Sequence, residues 1–127
     1  MERVFNGIKT NNMELNEYQK RALETVLFPQ CYNQQYLKDG LVEEVGELMG
    51  KFKRAVRDQN APKADGEVIF TADQLHEIAL EMGDVLWYLS VLAHRLGLTL
   101  EVVAELNVQK LAKRKAEGKI QGKGDNR

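Results

Sequence analysis

The sequence predicts an all-α protein, a four-helix-bundle-type single domain, and three observations carry that reading. Apolar residues recur with the 3.6-residue period of a helix through four segments. The breaks between them fall on Pro29, on a Pro- and Gly-bearing stretch at 59–71, and on Gly97. A chain of 127 residues, 43% apolar and 29% charged, also has the size and composition of one domain with a real core. The reading takes 1–127 as that domain, with a core over about 14–116 and a mobile basic segment at 117–127.

The first helix is expected from Met13 to Phe28, with Leu15, Tyr18, Ala22, Leu23 and Val26 on its apolar side, and Pro29 bars its continuation. The second runs from about Asn33 to Asp58. Taking Glu43 as the angular origin, Leu37, Leu41, Val45, Leu48, Phe52 and Val56 fall in an arc of about 120–220°, while Glu43, Glu47 and Glu44 fall at about 0, 40 and 100°. The acidic stripe borders the buried face, which suits a cavity between helices better than a solvated edge.

Residues 59–71 contain Pro62, an Asp65-Gly66 pair and no helical period, and are read as a loop. Thr71 is then the N-cap of a third helix from Ala72 to Leu96, which Gly97 ends. With Glu81 as origin, Glu77, Asp84 and Tyr88 lie at about 320, 300 and 340°, beside an apolar arc of Leu75, Ile78, Met82, Val85, Leu86 and Leu89. Leu80, Trp87, Val91 and His94 fall outside that arc, at about 220–280°, so this strip is expected to be a subunit surface. Thr99 caps a fourth helix from Leu100 to Ala116, on which Asn107, Lys110 and Arg114 share one stripe. After Glu117 the chain has three glycines and no period, and is expected to stay mobile until it closes on an anionic ligand.

Charge is segregated along the chain. Residues 1–109 hold 11 basic and 17 acidic side chains, and residues 110–127 hold 7 basic and 2 acidic. The acidic bulk argues against a nucleic acid polymer as partner, whereas a small phosphorylated ligand between metal and tail suits both signs. No stretch is apolar enough to span a bilayer, and Met1 to Asn12 lack the apolar core of a signal peptide, so no membrane partner and a cytoplasmic location are expected. Cys31 has no disulfide partner and is read as a packing residue.

Two acidic clusters, Glu43-Glu44-Val45-Gly46-Glu47 and Glu81-Met82-Gly83-Asp84, each project carboxylates from one helical stripe. Facing each other, they would raise one another's pKa and oppose folding unless hard cations sat between them. A divalent metal is the natural occupant. Any one Glu-x-x-Glu is commonly a solvated surface pair, and Lys51, one turn beyond Glu47, is read as its simple ion-pair partner. Two clusters that both adjoin a core face are less readily decorative.

Leu41 to Leu48 and Glu81 to Tyr88, with Glu44-x-x-Glu47 and Glu81-x-x-Asp84 inside them, resemble the signature of the MazG-like nucleotide pyrophosphohydrolases. That family stands in the all-α NTP pyrophosphatase group with dimeric dUTPases, dCTP pyrophosphatases and phosphoribosyl-ATP pyrophosphohydrolases. Asn107-x-x-Lys110-x-x-x-Arg114 resembles the group's basic element, and the stretch from Glu47 to Glu81 is longer than the family usually shows, which bears on substrate choice. The resemblance implies hydrolysis of a nucleoside triphosphate to the monophosphate and pyrophosphate with Mg²⁺, or Mn²⁺ in its place. It implies Glu44, Glu47, Glu81 and Asp84 as metal ligands. Glu43 is then the neighbouring carboxylate able to take a proton from the attacking water or to orient a water on the metal, Lys110 and Arg114 hold pyrophosphate, Asn107 supports the nucleotide, and Tyr88 is either a substrate contact or a core aromatic.

The competing substrate is phosphoribosyl-ATP, and the competing class is a non-catalytic helical module stabilised by metal. A di-iron bundle would need Glu-x-x-His pairs, and only Asp73-x-x-His76, on the wrong face, comes near one. Helices this short cannot enclose both a core and a nucleotide pocket alone, so a homodimer or homotetramer is expected.

Overall fold

The protein is described by a computed structural model at residues 4, 5, 7–10, 12–58, 63, 64 and 67–121. Four α-helices dominate it: α1 Leu15–Leu23, α2 Gln34–Arg57, α3 Ala72–Arg95 and α4 Leu100–Ala116. Two small antiparallel ladders accompany them. The first, β1 Val4–Phe5 with β2 Ile8–Lys9, turns at Gly7 in the left-handed region (φ 79°) and has no counterpart in the sequence reading. The second, β3 Lys63–Ala64 with β4 Glu67–Val68, flanks Asp65-Gly66 within the expected loop.

The helix starts follow from local capping. Asn33 accepts the amides of Gln35 and Tyr36. Thr71 and Gln74 form a reciprocal capping box, and Thr99 accepts the amide of Val102. The ends of α3 and α4 are Schellman turns: Gly97 (φ 79°) and Gly118 (φ 66°) take the left-handed residue, while Leu98 and Lys119 donate back to Ala93 and Arg114. Residues 118 and 119 therefore belong to the cap of α4, and Lys119 also pairs with Glu117 at 3.4 Å. Residues 122–127, the rest of the expected tail, lie outside the described residues.

Only α1 is notably shorter than its apolar pattern. It ends at Leu23, where Thr25 donates its hydroxyl to the Ala22 carbonyl and accepts the indole N–H of Trp87 at 2.6 Å. These bonds fix a tight turn where another helical turn was expected. Phe28, which precedes Pro29, is then forced into extended backbone (φ −143°, ψ 151°), and a 3-10 turn over Pro29–Tyr32 leads into α2.

The pairings of Gly40 with Tyr88 and of Lys51 with Glu77 define α2 and α3 as an antiparallel pair, the largest packing surface in the molecule. Helix α1 lies on α3 and α4, and the 3-10 turn lies on α2 and α3. Leu37 and Val91 are fully buried, and Ala22, Cys31, Ala55, Ile78, Ala93 and Leu100 are the other buried apolar residues among those described. One buried polar side chain ties the frame together: the Gln19 amide donates to the carbonyls of Ser90 and Leu98 and accepts the Leu100 amide. Asn16 accepts the amide of Glu101 and donates to its carboxylate.

The two apolar strips of α3 fare differently. The Trp87 strip is covered only in part by its own chain: Val91 is fully buried and Trp87 is half-buried and bonds Thr25, whereas Leu80 and His94 are exposed, with His94 Nδ1 meeting the Tyr32 hydroxyl at 2.8 Å. Conversely, α4 contacts α1 and α3 but not α2, so Val45 on α2 and Leu75, Met82, Leu86 and Leu89 on α3, all assigned to core arcs, remain exposed beside Val42 and Met49.

Candidate metal centre and active site

Helices α2 and α3 run antiparallel, so residues whose numbers sum to about 125–128 stand opposite one another. This pairs Glu44 with the Glu81–Asp84 turn. One carboxylate oxygen each from Glu44, Glu81 and Asp84 comes within 4.8 Å of the others. An octahedral magnesium with ligands at about 2.1 Å would space cis oxygens by about 3.0 Å and trans oxygens by about 4.2 Å. The trio thus needs only small side-chain adjustment to close on a hard cation. Its donor set, all carboxylate oxygen, is the one such cations favour.

The electrostatics agree. Burial pushes the Glu44 carboxyl above the usual carboxylate range, and the charges of Asp84, Glu81, Glu43 and Glu47 push it further. Glu43 and Glu47 therefore contribute to the field at Glu44, although Glu47 is outside the close trio and both are exposed. Tyr18 of α1 is also raised, first by burial and then by Asp84, which puts its phenol within electrostatic reach of the trio.

Aromatic rings flank the acids towards the start of α2. Tyr88 packs on the α2 backbone at Gly40, where any Cβ would overlap its ring. Its centroid lies 6.3 Å from that of Tyr36 and 4.9 Å from that of Trp87, and Tyr36 meets Phe28 edge-on at 6.5 Å. Burial, a hydrogen bond with Tyr36 and the charges of Glu44 and Glu43 push the Tyr88 phenol up to about 12. Tyr88 is both a packing aromatic and a neighbour of the acids.

On the other side, the Lys51 ammonium lies 3.3 Å from Glu77 and 3.6 Å from Glu81. It bridges to α3, not back to Glu47 as its spacing suggested. Of the basic element on α4, Arg114 is buried, whereas Asn107 and Lys110 are exposed on a helix that does not touch α2. Tyr18, Tyr36, Gly40, Lys51 and Glu77 enter the neighbourhood without having been singled out for it. Lys51 had a signal, since it follows Glu44 by seven residues, two turns along the same stripe.

Comparison with known proteins points one way. Residues 32–118 match the MazG nucleotide pyrophosphohydrolase domain. The Gene 37 protein of Mycobacterium phage L5 is 37% identical over 121 residues, covering 91% of this chain and all of the phage protein. The uncharacterised protein YvdC of Bacillus subtilis is 38% identical over 76 residues, covering 58% of this chain and 68% of its own. Among solved structures, the crystal structure of iMazG from Vibrio DAT 722 superposes with a TM-score of 0.52 at 31% identity, covering 80% of this chain and 97% of that one.

Proposed function

The chain belongs to the MazG nucleotide pyrophosphohydrolase family, and from that premise we propose that it cleaves nucleoside triphosphates, ribo or deoxy, to the monophosphate and pyrophosphate in the presence of Mg²⁺. The observation that carries the proposal is the convergence of Glu44, Glu81 and Asp84 from two helices into one oxygen cluster. A structural module could bury such a cluster under apolar cover, but here Asp84 is exposed and accessible to a ligand.

In this reading Glu44, Glu81 and Asp84, with Glu47 at the edge, hold the metal. When bound, Mg²⁺ supplies positive charge that offsets the triphosphate and polarises the phosphorus under attack. Glu43, adjacent to the trio and open to water, accepts the proton of the attacking water. Tyr88 borders the nucleoside end, and its high pKa keeps it a neutral hydrogen-bond donor across the physiological range. Asn107, Lys110 and Arg114 assist substrate binding from α4. The apolar face left open on α2 and α3 supports assembly into a homodimer or homotetramer. Among the described residues no helix is long and apolar enough to cross a membrane, and a cytoplasmic location is part of the proposal.

The test is direct. The purified protein is incubated with each common ribo- and deoxynucleoside triphosphate and Mg²⁺, and products are resolved by anion exchange. Equimolar monophosphate and pyrophosphate, lost in EDTA, is the expected result; orthophosphate and diphosphate, or no product, rejects it.

A further inference from the structure

Next to the acid trio, and separate from it, α2 and α3 line an open-sided cavity of about 290 Å³. Lys51, Arg54 and Gln74 form polar walls, Ala55 and Ile78 are apolar lining, and Asp58 and Glu77 complete it. Asp58 is engaged by Arg57 at 2.8 Å, and Glu77 shares the Lys51 ammonium, 3.3 Å away, with Glu81 at 3.6 Å. The Arg54 guanidinium lies back over Gly50, where even a Cβ would stand 2.9 Å from one of its nitrogens. The cavity thus offers an anion the Arg54 guanidinium and the Gln74 amide, together with Lys51 once it leaves its carboxylates.

Lys51 joins the cavity to the trio. Its ammonium lines the cavity and stands 3.6 Å from Glu81, whose side chain is only 18% exposed and which also supplies an oxygen to the trio. A cation taken up by the trio competes with Lys51 for the Glu81 charge. With Glu81 drawn to the cation, Glu77 is the carboxylate left on the ammonium, which then has more to gain from an anion in the cavity. Along α2, Lys51 follows Glu44 by about 10 Å of helix, and its own side chain spans much of that distance back to the trio.

We infer that the cavity walled by Lys51, Arg54 and Gln74 is a binding subsite for a diphosphate anion, and that Lys51 passes from Glu81 to that anion when the trio takes a cation. The inference rests on the proposed activity, because it assigns the subsite to the terminal two phosphates of the substrate and to the pyrophosphate released. It also predicts opposite effects at the two neighbouring sites. Lys51 opposes a lone cation at the trio and favours the phosphate end of the substrate.

Titration calorimetry of the intact protein tests this without turnover. Inorganic pyrophosphate is titrated in saturating Mg²⁺, and Mn²⁺ is titrated alone, into wild type, Lys51→Met, Lys51→Arg and Arg54→Met. Lys51→Met and Arg54→Met should each raise the pyrophosphate Kd roughly tenfold, the scale of one charge-assisted hydrogen bond. Lys51→Arg should recover most of the loss. Mn²⁺ should bind Lys51→Met about threefold more tightly, since a nearby positive charge is gone. Unchanged pyrophosphate affinity in both neutral variants overturns the subsite, as does a parallel loss of Mn²⁺ and pyrophosphate binding, which would mark Lys51 as structural. If Lys51→Met fails to fold, Arg54→Met decides alone. A protein that binds pyrophosphate through Lys51 but hydrolyses no nucleotide loses the activity and keeps the subsite; one that hydrolyses nucleotides with pyrophosphate affinity untouched in the variants does the reverse.

Discussion

Gly40 and Tyr88 share one space: the ring of Tyr88 lies where a side chain on residue 40 would begin. Gly40→Ala should therefore displace Tyr88, destabilise the protein by about 1–3 kcal/mol and lower kcat/KM. Gly46 and Gly83 are interior helical glycines with open space at the Cβ position, so alanine there should stabilise by about 0.5–1 kcal/mol. Thermal melts of the three variants, read together, separate the packing role from helix propensity.

Removing one carboxylate of the trio should eliminate metal-dependent turnover without unfolding the chain. Glu44→Gln and Asp84→Asn relieve like-charge repulsion, so in EDTA their melting temperatures should equal or exceed that of wild type. The melting increment on adding Mg²⁺, present in wild type, should disappear in both. Full activity in either variant removes the metal assignment.

The Tyr88 phenol should titrate above the ordinary phenol range. Its folded-state pKa of about 12 exceeds the reference 10.0. Between those values the folded protein holds a proton that the unfolded chain has released, so this contribution to stability is intact below pH 10 and is lost as pH rises towards 12. Spectrophotometric titration should show a late phenol that vanishes in Tyr88→Phe. Tyr18, also raised, should remain.

The protein should be a dimer or tetramer by light scattering at micromolar concentration, with the open α2–α3 face covered. Leu86→Lys on that face should shift it towards monomer. A monomeric wild type rejects this surface.

The limits of α2, α3 and α4 were legible because their caps are written locally, at Asn33, Thr71 and Thr99 with Gly97 and Gly118. The acidic stripes were legible in part: spacings of three marked Glu44 with Glu47 and Glu81 with Asp84, and the antiparallel pair brings Glu44, Glu81 and Asp84 together while Glu47 stays outside. What spacing could not reveal was partner choice. Lys51 reaches α3 instead of Glu47, and Trp87 finds Thr25 sixty-two residues away, because both outcomes depend on how whole helices are placed. The same holds for the apolar arcs of α2 and α3. Periodicity marks a face as one to be covered, and it takes the position of α4 to leave that face open within one chain.

The first amides of α4 are not all satisfied from its own neighbourhood in sequence. Val102 is held by Thr99, but Leu100 is held by Gln19 and Glu101 by Asn16, more than eighty residues earlier. Helix α1 is in effect the far half of the cap of α4. If α1 lifts away, those two donors lose their partners and Gln19 releases Ser90 and Leu98 in the same motion. The chain's first and last helices should accordingly exchange their amide hydrogens as one cooperative unit, with Leu100 as slow as the α1 interior, although they are the helices farthest apart in sequence.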